Sequence, residues 1–281
     1  MKEEILKMKI DKENLLRDFI RNSEYLNNDI EELKNFSFWK IAGTKYDGTA
    51  ESSDDPKFDG DHTLLAKSIY WVLWKNAEIQ NFTEYNFDLP ENSYSGDTIN
   101  TYNTLFGSTK KIYDRVRNLL EFTNDEEQEI KDFRETYQTV GNFYFLPKNT
   151  IYKSESINTY RGTRWNDYFD IFLKVLKCGL ENKDLIDFNF RELLEKNEFF
   201  FNKYNSIEKI SKLFYFQDEK ENYNFLTDLK FNGNGLYFSH TMLCEENKSE
   251  YKQFALSYIR IATSLIKKRS NVIVRELKKY L

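Results

Sequence analysis

Residues 137–179, YQTVGNFYFLPKNTIYKSESINTYRGTRWNDYFDIFLKVLKCG, decide the fold, because a helix end, a strand pair, a tight turn and an amphipathic helix follow one another without slack. Trp165, Tyr168, Phe169, Phe172, Leu173 and Leu176 recur at the spacing of one helical face. Thr163 or Asn166 can cap the start of that helix, and Gly179 is expected to stop it. Asp167, Asp170, Lys174 and Lys177 fall opposite the stripe, as a solvated face, with Asp170 and Lys174 in the favourable acid-before-base order. Upstream, 142–146 and 150–153 read as a strand pair about Pro147-Lys148-Asn149.

The turn Asn158-Thr159-Tyr160-Arg161-Gly162-Thr163 leaves two readings open. In the first, it simply leads into a core helix. In the second, Arg161 and the N–H groups after Gly162 form a phosphate site at a helix start. Asp167 would repel an anion there unless it orients Arg161 or holds a metal ion that the phosphate shares. Asp97, in YSGDTINTYNTLFG, is likewise double: a cap for a short helix bearing Ile99, Tyr102 and Phe106 and closed by Gly107, or a carboxylate beside Asn100 facing whatever Arg161 faces.

Working outward, residues 1–36 read as an N-terminal helical arm with Leu16, Phe19, Ile20, Leu26, Ile30 and Leu33 as its stripe and Asp11 and Asp29 as caps. Residues 37–281 read as the main domain. The loop GTKYDGTAESSDDPKFDGDH holds Asp54, Asp55, Asp59, Asp61 and His62. Lys57 and Ala66 occupy EF-hand ligand positions, so what stays open is a looser Asp/Asp/His metal site, against a reading of Asp61 as a cap and the other acids as solvated. The helix that follows, from His62 to about Asn76, is apolar nearly all round and belongs at the centre. Ser108 opens a helix whose outer side carries Lys110, Lys111, Arg115 and Arg117, and Thr123 with Glu126 makes a capping box for the helix ending at Gly141. Helices at 190–202 and 206–216, a hairpin pairing 229–231 with 236–238, and one long helix from Ser249 to Leu281 complete the chain. Lys267, Lys268, Arg269, Arg275, Lys278 and Lys279 form the basic end of that helix, which suits its dipole. The architecture expected is α+β: a mainly helical single domain with a small antiparallel sheet and a long C-terminal helix, about eight to ten helices and four or five short strands.

Several blocks resemble an uncharacterised bacterial family of unknown function, DUF6994. They are Thr139-Val140-Gly141-Asn142, Pro147, Ile157-Asn158, Arg161-Gly162 and Asp167-Tyr168-Phe169-Asp170. Leu73-Trp74-Lys75, Ser95-Gly96-Asp97-Thr98-Ile99, Phe199-Phe200, Phe216-Gln217-Asp218 and Lys268-Arg269 match more loosely. Asn142 stands where the family pattern has a second Gly, and Tyr168 where it has Arg. The resemblance covers most of the chain after residue 55 and implies no activity, cofactor or partner.

Composition excludes several classes. The 281 residues carry 24 Phe and 19 Tyr but only 10 Gly and 3 Pro, which argues for a packed core rather than disorder. A net charge of −5 gives no bulk attraction to nucleic acid or anionic membrane. Cys178 and Cys244 form neither a disulfide framework nor a zinc site, and no apolar run has membrane-spanning length, so a soluble cytoplasmic protein is expected. Serine-hydrolase, P-loop and Rossmann patterns are absent, and His62 and His240 have no Arg at ribonuclease spacing. Tyr160-Arg161-Gly162 with Tyr237-Phe238-Ser239-His240-Thr241 resembles part of an ADP-ribosyltransferase pattern but lacks its Glu-x-Glu strand.

Two functions from different classes remain. One is an enzyme or sensor for a phosphate-bearing ligand, nucleotide or nucleic acid, with Asp97, Arg161 and Asp167 as catalytic groups and Asn100, Asn158 and Asp170 as ligand-binding groups, a divalent metal being possible. Small proteins of AT-rich coding sequences are associated with phage-defence and toxin systems. The other is a non-catalytic module that binds a protein partner. Oligomeric state is left open.

Overall fold

The computed structural model describes residues 11–48, 59–77, 94–99, 102–147, 157, 168–186, 188–229 and 237–281. Helix α1 (Lys12–Asn22) begins where the Asp11 carboxylate accepts the Asn14 N–H at 2.9 Å, and a 3-10 turn over Ile30–Asn35 begins on Asp29 in the same way. Leu16, Phe19, Leu26 and Leu33 are all fully buried, so this segment covers the core rather than standing away from it. Asp18 fastens it: its carboxylate accepts from Lys45 Nζ at 2.6 Å, the Tyr46 hydroxyl at 2.7 Å and Asn22 Nδ2 at 2.9 Å.

A second helix, α2 (Leu64–Trp74), crosses the centre as its all-round apolarity requires. Its cap is Thr63, whose hydroxyl accepts the Ala66 N–H; Asp61 sits two residues too early and is buried instead. The helices α3 (Tyr102–Phe106), α4 (Lys110–Leu120) and α5 (Asn124–Tyr137) follow. Thr109, not Ser108, caps α4, while Thr123 and Glu126 make the expected capping box on α5. Helix α5 stops at Tyr137 and the chain tightens into a 3-10 turn over Val140–Asn142.

The sheet differs from the pairing expected. Strand β1 (Tyr94–Thr98) pairs antiparallel with β2 (Phe143–Pro147), in the register Tyr94↔Pro147 to Thr98↔Phe143. Residues 94–98 include Ser, Gly and Asp, poor strand formers, so β2, buried along its whole length, imposes the strand upon them. Asp97 therefore lies in a strand opposite Tyr144, not at a helix start. Residues 150–153 and 230–236 lie outside the described residues, as does most of the expected 229–238 hairpin.

Helix α6 (Phe169–Glu181) buries Phe169, Phe172, Leu173 and Leu176 as the spacing predicts. Gly179 does not end it. The helix runs on to Glu181, and a Cβ at 179 would stand 2.9 Å from Leu194 Cδ1, so this glycine serves a close approach. The expected helix 190–202 divides at buried Asn197 into α7 (Phe188–Lys196) and α8 (Glu198–Phe201). Helix α9 (Ile207–Leu213), strands β3 (Gln217–Asp218) and β4 (Tyr223–Asn224), and α10 (Phe225–Asp228) lead to α11 (Lys248–Leu277), 30 residues long.

Helix α11 packs on α5, on the Val140–Asn142 turn and on the Ile30–Asn35 turn. At Gly141 the contact is backbone to backbone: an added Cβ would lie 2.1 Å from the Ile266 carbonyl, and the Gly141 N–H donates to Ser270 Oγ at 3.0 Å. Arg269, read from the sequence as one of the cations at the basic end of this helix, is fully buried. Its guanidinium donates to the carbonyls of Phe214 (2.8 Å), Gly141 (2.7 Å) and Phe143 (2.6 Å) and to the Tyr70 hydroxyl (2.7 Å), and it lies over the Phe216 ring. Tyr70 passes a hydrogen bond on to the Phe143 carbonyl. Burial raises the Tyr70 pKa, with the Arg269 charge opposing the shift.

Two predictions follow from these contacts. Arg269→Lys keeps the charge but cannot reach donors to three carbonyls, so it should lower unfolding free energy by about 3–5 kcal/mol, read from urea denaturation; an unchanged midpoint would show those bonds to be dispensable. The Asp18 carboxyl is held at about 2, below its ordinary 3.8, by Lys45, Asn22 and Tyr46. Because the folded pKa is depressed, its stabilisation is complete above the ordinary carboxylate range and disappears as pH falls toward 2. Asp18→Asn should therefore lower the melting temperature at pH 6, with the gap to the parent closing near pH 2.

Candidate functional site

A cleft of about 670 Å³ opens where α3, α4 and the end of α5 meet. Gly107, at φ +82°, turns the chain sharply between α3 and α4. That turn brings Tyr102 and Tyr113 into a stack with centroids 6.3 Å apart. Trp39 and Tyr137 add further aromatic wall, and Ser108, Thr109 and Lys110 place the start of α4 in it. Lys110 is paired with Asp114 at 2.8 Å. Arg134 is different. It is exposed in the cleft wall, lies 5.9 Å from the Tyr102 ring centroid, and makes no hydrogen bond or ion pair among the described residues.

Asp59 reaches the same cleft from the 3-10 turn Gly60–His62, which packs against β1. Among the described residues, Asp59, Asp61 and His62 are a cluster whose ligand-type atoms all lie within 4.8 Å of one another. His62 Nδ1 is 3.2 Å from Asp59 Oδ2, and its Nε2 is 3.8 Å from Asp61 Oδ2. Burial opposes ionisation of Asp59, but hydrogen bonding within the cluster, chiefly from His62, together with the His62 charge outweighs it and holds the carboxyl at about 2. Asp61 is buried and its charge is felt at Tyr70, so the cluster borders the Arg269 centre. Asp54 and Asp55 lie outside the described residues.

Of the site residues expected from sequence, Asn100, Asn158, Arg161 and Asp167 also lie outside the described residues. Asp97 is placed by its strand alone. Asp170, expected on the solvated face of α6, is 1% exposed. One carboxylate oxygen accepts from the Tyr237 hydroxyl and from Lys174 Nζ at 3.2 Å, and the other, Oδ1, has no hydrogen-bond partner. The hydroxyl of Tyr168, next to it in the core, donates to the Phe238 carbonyl. Burial and the Asp170 carboxylate together push the Tyr237 hydroxyl well above its usual range. The basic run on α4 is largely committed: Arg117 pairs with Glu127, and Arg115 donates to the His240 carbonyl at 2.8 Å. Sequence reasoning did not single out Trp39, Arg134 or Gln138, which come together only through the packing of separate segments.

The fold is thus that of a mainly helical α+β protein with a small antiparallel sheet, a long C-terminal helix and one aromatic cleft beside an acid–histidine cluster. A family model matches residues 65–273, and the chain belongs to that family, DUF6994, a family of unknown function. No curated protein and no solved structure matches the chain. No described helix is long and apolar enough to cross a membrane.

The environment of Asp170 generates a differential prediction. Tyr237→Phe removes the partner that is part of the buried surroundings and should cost about 1–3 kcal/mol. Lys174→Met, at an exposed position, should cost well under about 1 kcal/mol. Urea unfolding of both variants checks the order; equal losses would contradict it.

Proposed function

We propose that this protein binds a phosphate-bearing ligand of the nucleotide class in the cleft between α3, α4 and α5. The observation that carries the reading is Arg134, a guanidinium without a hydrogen bond or ion pair among the described residues, set against an aromatic wall. A planar base has aromatic surface to stack on at Trp39, Tyr113 and Tyr137. Phosphate oxygens suit the two-pronged Arg134 fork and the positive end of the α4 dipole. The other cation in the wall, Lys110, is neutralised by Asp114, so recognition falls chiefly to Arg134. The reading includes a cytoplasmic setting, supported by Cys178 and Cys244 both being free thiols.

One observation favours the second reading, a protein-interaction surface. Trp39 is 48% exposed on the cleft wall, and tryptophan is enriched at the centre of protein interfaces. Calorimetric titration of the full chain with ATP, GTP, their diphosphates and short oligonucleotides separates the two. Saturable binding that weakens at least ~10-fold in Arg134→Gln, with an unchanged melting temperature, is the expected result. No binding by any of these at millimolar concentration would leave the interaction reading in its place.

A further inference from the structure

We propose that Asp61, His62 and the side-chain oxygen of Gln138, with Asp59 orienting the imidazole, hold one divalent first-row metal ion of the Mn²⁺ or Zn²⁺ kind in the wall of the cleft. The site goes beyond the ligand proposal and stands without it.

The three charged or ionisable residues come from one tight turn, and their ligand-type atoms lie within 4.8 Å of each other. The two nitrogens of His62 are not equivalent. Nδ1, 3.2 Å from Asp59 Oδ2, is at hydrogen-bond distance, which fixes the ring. Nε2 faces Asp61 Oδ2 at 3.8 Å, too far for a hydrogen bond. That gap is near the separation of two ligands around an ion bonded to each at ~2.1 Å, and a slight contraction closes it. A carboxylate bonded to one imidazole nitrogen while a metal takes the other is the usual way a ligating histidine is oriented.

Gln138 supplies an independent observation. It is 4% exposed, it lines the cleft with Asp59, and its Oε1 is buried without a hydrogen-bond partner. That oxygen is aimed at the turn between the two acids: it lies 2.3 Å from where a Cβ on Gly60 would stand. Only the missing side chain at Gly60 allows the approach. A self-contained ion cluster of two aspartates and a histidine accounts for the acids but leaves this acceptor without a donor. A cation satisfies all of them.

The donor set selects the class of ion. One imidazole nitrogen with carboxylate and amide oxygens suits Mn²⁺, Fe²⁺ or Zn²⁺, while Ca²⁺ favours oxygen alone and thiolate-seeking ions find no cysteine here. The cleft leaves room for water or a phosphate oxygen at the remaining coordination positions. It also reverses the local charge, since Asp59 without a cation presents a negative wall to any anion in the cleft.

The test uses the full chain, stripped with chelator and dialysed, with Mn²⁺ alone as probe and no nucleotide present. Free Mn²⁺ is followed by electron paramagnetic resonance, and Co²⁺ binding by its visible ligand-field bands. One ion per chain is expected, with affinity at least ~10-fold weaker in His62→Ala and lowered also in Gln138→Leu. The metal-free melting temperature of Gln138→Leu should equal or exceed that of the parent, because an unbonded buried acceptor is removed; loss of metal in that variant is then not loss of fold. Absence of Mn²⁺, Co²⁺ and Zn²⁺ binding at millimolar concentration would overturn the proposal. So would binding of equal strength in the parent, His62→Ala and Gln138→Leu.

Discussion

A fully buried guanidinium holds this fold together. Arg269 brings a charge into the core with neutral oxygens as its hydrogen-bond partners, and it ties α11 to α2, to the Val140–Asn142 turn, to β2 and to the end of α9. A charge in such a place is tolerable only when its donors are well bonded, so each acceptor must be accurately placed. Gly141 makes this possible by letting two backbones touch, which brings its carbonyl within reach of the guanidinium. The aromatic shell of Tyr70, Trp74, Tyr144, Phe214 and Phe216 then packs around a polar centre that cannot shift without losing several bonds together.

The blocks that carry the family resemblance converge on the same centre. Gly141, Trp74, Phe216 and Arg269 each belong to one of them. Gly141 and Arg269 are bonded to each other, Phe216 lies under the guanidinium, and Trp74 stacks edge-on against Tyr70 and Phe214. Those blocks therefore speak to how the chain folds. The cleft draws instead on Trp39, Tyr102, Arg134 and Gln138, with Trp39 ahead of the matched segment altogether. Fold and candidate chemistry occupy adjoining but separate parts of the molecule, joined at the Gly60–His62 turn.

How much of this the sequence revealed depends on how local each cause is. Asp11, Asp29 and the Thr123–Glu126 box act within a few residues, and all three cap as read. The stripe on α6 and the length of α11 were legible for the same reason. Strand β1 was not, because its strand character comes from a partner about fifty residues away rather than from Ser95, Gly96 or Asp97. Arg269 looked like one more cation at the basic end of its helix, yet a signal was there. It follows Leu265 by four and precedes Val272 by three, which places it on the apolar stripe, and a charge at such a position is buried with partners or breaks the helix. Asp170, three before Leu173, carries the same kind of mark. The cleft leaves no such trace, since its residues share no periodicity or motif.

The bonds of Arg269 also order events during synthesis. Its acceptors at Tyr70, Gly141, Phe143 and Phe214 precede it by 199, 128, 126 and 55 residues. All of them leave the ribosome well before residue 269 does. Until then the Gly141 and Phe214 carbonyls lack their donor, and the surface of α5 and of the Val140–Asn142 turn on which α11 packs is open. A chain closed by so late a residue cannot finish its core piece by piece as it emerges, and contacts of such long range are slow to form. During that interval its aromatic surface is exposed to holdase chaperones and to neighbouring nascent chains.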